Sequence, residues 1–168
     1  MKYWKICLMV VILAGVVGCG KQLTREKAAE MIIKEYGFPI PITESLSLYR
    51  PKEVQAFESS GLVKATKGGA TLTDKGRKYF VNEDSTFGIV RFKVCEQVFL
   101  EVTGMKKDKT SAQIEYTWKY DNFTEVSKVN ESSYKSQNWF PDYIRFKGPQ
   151  KGRTVYFSLY DDGWRIEK

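Results

Sequence analysis

Between Ala112 and Asp121 apolar and polar residues alternate without a break. Ala112, Ile114, Tyr116, Trp118 and Tyr120 occupy one phase, and Gln113, Glu115, Thr117, Lys119 and Asp121 the other. Successive strand side chains point to opposite faces, so this pattern predicts a strand with one buried and one wetted face. Val94, Val98, Leu100 and Val102 share a face of the preceding strand, and Met105–Thr110 is the polar turn between the two. Further strands are expected at Tyr143–Phe146 and Thr154–Tyr160, with Ser127–Gln137 as a polar loop. Asp161-Asp162-Gly163 reads as a hairpin turn leading into Trp164-Arg165-Ile166. One-sided alternation of this kind is the pattern of antiparallel sheets. Residues 84–168 are therefore expected to form an antiparallel β-sheet meander.

Upstream the period lengthens. Thr24 is placed as a helix N-cap with Glu26 in the first turn, and the helix runs to Tyr36, where Gly37 and Pro39 end it. Ala29, Ile32, Ile33 and Tyr36 form its apolar stripe. Phe38-Pro39-Ile40-Pro41-Ile42 cannot be helical and reads as an extended connector. A second helix starts at Pro51 and passes through Val54 and Phe57 to a stop at Gly61. Leu62-Val63, the turn Lys67-Gly68-Gly69 and Leu72-Thr73 predict a hairpin, after which Asp74–Phe80 continues as a helical turn. Helix, "GLV", hairpin and "LTDKGRKYF" together resemble the second half of a winged-helix domain, over residues 24–80. Two helices are read before the hairpin where that family usually has three. The expected fold class is α+β, with a helical, winged-helix-like region at 24–83 followed by the β region at 84–168.

The first nineteen residues follow neither period. Lys2 and Lys5 precede an uncharged run over residues 6–18. Spanning the roughly 30 Å of membrane hydrocarbon takes about 20 apolar residues, so the run is too short to cross and fits a signal peptide. It ends in Val16-Val17-Gly18-Cys19, which resembles the lipobox of bacterial lipoproteins. That resemblance implies cleavage after Gly18, removing residues 1–18, and acylation of Cys19, with residues 19–23 as a lipidated tether. Several acyl chains hold a protein at a bilayer where a single chain is marginal. Gly20 stands where the inner-membrane retention signal of such proteins has Asp, which points to the periplasmic face of the outer membrane in a Gram-negative cell.

Composition narrows the chemistry. The chain has no His, which removes Ser-His-Asp and Cys-His catalysis and His-ligated zinc. No phosphate loop, dinucleotide fingerprint or zinc spacing is present, so no cofactor, metal or catalytic residue is assigned. Cys7 falls in the signal and Cys19 in the lipobox, leaving Cys95 without a disulfide partner and best read as a small core residue. Glu96 lies in phase with Val94 and Val98. It is either a buried carboxylate of raised pKa or, the favoured reading, turned outward by a bulge. Asp161 and Asp162 are read as turn residues.

Among the many aromatics of the β region, Trp118, Tyr120, Trp139 and Trp164 are singled out as candidate ligand-stacking residues. The formal net charge of +7 suits anionic surfaces but identifies none. Nucleic acid is refused: an exported, lipidated protein does not meet the chromosome, and Glu53 and Glu58 spoil the helix before the wing as a phosphate-binding element. The leading expectation is a non-enzymatic envelope lipoprotein, bound to the bilayer through acylated Cys19, with a protein or cell-wall polymer as partner. A carboxylate-dependent cell-wall glycan hydrolase and a binder of small apolar ligands stand as alternatives.

Overall fold

The computed structural model describes residues 22–48, 51–84, 88–129, 141–146 and 148–168. The expected signal, Gly18, Cys19, Trp139 and most of the 127–137 loop lie outside the described residues. The protein is α+β, and its strands pair antiparallel. It divides into two compact units that are discontinuous in sequence. A terminal unit takes in the described residues up to Glu35, with Glu101–Tyr116 and Gly152–Lys168. A central unit comprises Tyr36–Leu100 and Thr117–Lys151. The regions 24–83 and 84–168 read from the sequence each contribute to both.

The terminal unit opens with helix α1 (Arg25–Tyr36). Thr24 caps it as expected: its hydroxyl oxygen accepts from the Lys27 backbone N–H at 3.2 Å. The buried stripe is shifted by one residue from the one expected. Ala28 and Ile32, one turn apart, are fully covered, whereas Ile33 and Tyr36 are 37% and 43% exposed. What the helix packs against, not the count of apolar residues along it, sets the buried face. The unit's strand segments come from β5 (Ile89–Lys107) and β6 (Ser111–Asp121), followed by β8 (Val155–Tyr160) and β9 (Gly163–Ile166). Ala112 faces Phe157 and Ile114 faces Val155 across β6–β8, and all four are buried. Asp161-Asp162-Gly163 makes the expected turn into β9, with Gly163 at φ 134°.

In the central unit, β1 (Ile40–Ser47) pairs with the first half of β5, so the expected extended connector runs on into a strand. Helix α2 (Pro51–Ser59) and the hairpin of β2 (Val63–Thr66) and β3 (Gly69–Leu72) follow as expected. The helical turn after them, α3 (Asp74–Arg77), ends earlier than expected, because Phe80 already opens β4 (Phe80–Asp84), which pairs with β5. The expected turn at Met105–Thr110 is shortened likewise, since β5 runs on to Lys107.

Residues 125–129 are helical, so the first residues of the expected 127–137 loop belong to a helix instead. Tyr143–Phe146, expected as a strand, is instead within or beside the helical turn α4 (Asp142–Arg145). Pro141 ahead of it, with φ already near the helical value, and Asp142 in the first turn favour a helix start there. The short strand β7 (Gln150–Lys151) pairs with the end of β6. Phe92, Leu46, Phe57, Leu62, Val94 and Val126 form the core of this unit, with the Phe57 and Phe92 rings 5.2 Å apart.

Candidate functional site

Of the aromatic residues singled out in the sequence, Trp118, Tyr120 and Trp164 are among the described residues, and each unit is taken by itself. In the central unit, Trp118 and Tyr120 are half-buried on β6, their rings edge to face at 4.9 Å. Tyr120 continues toward Tyr143 at 6.4 Å and packs against the core, and burial raises its hydroxyl pKa. In the terminal unit, Trp164 is only 5% exposed, with the Lys107 ammonium 5.4 Å from its ring centroid. A ring so covered fills a core and cannot serve as a stacking platform for a ligand, which corrects that assignment.

The exposed aromatics lie elsewhere. Tyr156 and Tyr160 are each 52% exposed on β8, four residues apart on the face opposite Val155 and Phe157. The same period of two that marks the buried face could have pointed to them. Tyr160 is engaged: the Arg165 guanidinium lies 5.1 Å from its ring centroid and pairs with Asp162. The carboxyl of Asp162 is thereby held below the usual range, chiefly by that hydrogen bond, and the "DDG" segment is the turn the sequence suggested. Tyr156 instead lines a cavity of about 570 Å³ with Lys106, Asp108, Ser111, Gln113 and Glu167. The structure thus assembles a groove around a tyrosine outside the four aromatics first chosen.

Glu96 is explained by a bulge. Ile42 pairs with Cys95 but Thr43 pairs with Lys93, so Val94 is the extra residue on β5. Val94 and Cys95 are consequently both buried, and Glu96 does not share Val94's environment. Its carboxylate accepts from the Lys93 ammonium and, at 2.5 Å, from the side-chain amide of Asn122. These two donors, Lys93 first, hold its pKa below the ordinary range. Asn122 reaches it from a left-handed backbone (φ 52°), a conformation Asn tolerates better than most residues. Thr124 fixes the same corner through its hydroxyl to the Lys93 carbonyl at 2.7 Å and its N–H to that of Val94 at 2.8 Å. A carboxylate held ionised in this way is a poor proton donor, so the raised-pKa reading is set aside.

Beside it, burial pushes the Cys95 thiol up to about 12, which suits a core residue and not a nucleophile. Among the described residues no three metal-ligating side chains converge, and no helix is long and apolar enough to cross a membrane.

A second cavity, of about 480 Å³, lies between α2 and the tip of the β2–β3 hairpin, lined by Leu48, Pro51, Val54, Glu58, Ala65 and Lys67 among others. Glu58 accepts from the Ala65 N–H at 2.8 Å and ties helix to hairpin across it.

The class these features define is an α+β protein with an antiparallel sheet that offers an open groove. Comparison with known protein families, curated proteins and solved structures finds no match.

Proposed function

We propose that the protein is a non-enzymatic envelope lipoprotein, held at the membrane by acylated Cys19, whose β part binds a protein or cell-wall polymer. The observation that carries the anchor is the segment Lys2 to Cys19: a basic start, an uncharged run too short to span, and Val16-Val17-Gly18-Cys19 at its end. Cleavage after Gly18 and acylation at Cys19 then leave a tether shorter than the expected 19–23, because Leu23 is buried at 3% exposure and belongs to the folded part, and Gly20 in place of Asp favours the periplasmic face of the outer membrane. The binding role draws on the Tyr156 groove. A hydrolase reading has less support, because the most suggestive carboxylate, Glu96, is tied to Lys93 and Asn122.

The helix α2 with its β2–β3 hairpin supports a wing-like shape within residues 24–80. In an exported protein that shape serves packing or protein contact, not DNA. Cys19→Ser tests the anchor: the variant is expected to run at precursor size, uncleaved and without incorporated labelled fatty acid. A variant that stays membrane-bound at its former size would overturn the assignment. Crosslinking on intact envelopes tests the binding role, with recovery of a discrete partner or polymer expected.

A further inference from the structure

The groove of the terminal unit lies where Gln113 on β6 stands opposite Tyr156 on β8. Directly opposed residues of an antiparallel pair project from the same face, so the amide and the half-exposed ring are neighbours. Ser111, two residues before Gln113, and Glu167, whose N–H donates to the Tyr156 carbonyl at 2.9 Å, add polar groups to the rim. Lys106, Lys107 and Asp108 complete it. At about 570 Å³ the cavity falls within the roughly 300–1,000 Å³ of small-molecule sites.

Charge selects among ligands. The two lysines are offset by Asp108 and Glu167, and Lys107 is already drawn over the Trp164 ring. A phosphate-rich or acidic ligand would therefore meet two ammonium groups and two carboxylates, a balanced lining that offers it no net attraction even on a chain of formal charge +7. A wholly apolar ligand would strip water from the amide, the hydroxyl and the carboxylates without replacing its hydrogen bonds. A sugar chain satisfies both demands: its C–H face covers the aromatic ring and its hydroxyls both donate and accept at the rim.

We propose that this groove binds a short stretch of an uncharged sugar polymer, with Tyr156 as the stacking platform and Gln113 as the main polar contact. The proposal rests on the reading of the β part as a binding module and specifies the polymer it takes. Tyr160 lies on the same strand face with equal exposure but takes no part, because Arg165 occupies its ring.

The test is calorimetric titration of the full-length protein in detergent with the tetramer of N-acetylglucosamine. Saturable binding is expected. Tyr156→Ala is expected to weaken it about tenfold, Gln113→Ala to weaken it less, and Tyr160→Ala to leave it within about twofold. Equal melting temperatures across the variants exclude unfolding as the cause. Absence of saturable binding by the wild-type protein at millimolar tetramer, or equal loss in Tyr160→Ala and Tyr156→Ala, would overturn the proposal. Recovery of a protein partner by crosslinking, with no response to the tetramer, would overturn the sugar assignment and leave the anchored binding module standing.

Discussion

The carboxylate of Glu96 has a consequence for stability as well as for chemistry. Its pKa is lower in the folded protein than in the unfolded chain because Lys93 and Asn122 stabilise the ionised form. The stabilisation is present above the unfolded pKa of about 4.3 and is lost as pH falls through the lower folded value. Glu96→Gln is therefore expected to lower the melting temperature modestly at pH 7, with the gap to wild type closing in acid. Thermal melts of both proteins between pH 7 and 3 check this, and a gap that widens in acid would contradict it. The outward reading of Glu96 was open to inspection in the sequence, since a charged residue in phase with Val94 and Val98 invites a bulge. Its partners were not. Asn122 is twenty-six residues away along the chain, and only the folded corner between β5 and β6 brings it to Glu96.

At the scale of elements, helix–hairpin packing turns on Gly76 in α3. A Cβ there would lie 1.9 Å from the Leu62 carbonyl oxygen, and backbone cannot move aside as a flexible side chain can. Gly76→Ala is expected to destabilise the protein by about 1–3 kcal/mol, the usual range for overpacking, read from urea midpoints. Thr73 prepares this approach, its hydroxyl donating to the Gly61 carbonyl at 2.6 Å and accepting from the Gly76 N–H at 3.0 Å. Helix α1, α2, the hairpin and β6 were legible because their caps, glycine stops and periods are local and agree with one another. Tyr143–Phe146 was misread because four residues of mixed character cannot separate a strand from a helical turn by period alone. Pro141 and Asp142 carried the missing signal, and the burial of Tyr143 follows from the core it joins.

At the scale of the whole molecule, each unit has a large aromatic at its centre: Phe92 in the central unit and Phe157 in the terminal one, both with no exposed surface. Phe92→Ala and Phe157→Ala are each expected to cost about 3–5 kcal/mol, checked by chemical denaturation. Against a typical total of about 5–15 kcal/mol, either loss approaches unfolding. A cost below 1 kcal/mol at either site would mean that the residue is not central to its core. The amino-acid sequence by itself determined the α+β class, the caps, the alternating faces and the exclusion of histidine chemistry. All of these depend on residue type and short-range spacing. Tertiary structure alone decided that Glu101–Tyr116 joins helix α1 and Gly152–Lys168 in one unit, that the helix buries Ala28 and not Ile33, and that Tyr156 meets Gln113. Those are pairings between distant segments, and their register is fixed by cross-strand hydrogen bonds and close packing that no local window of the chain contains.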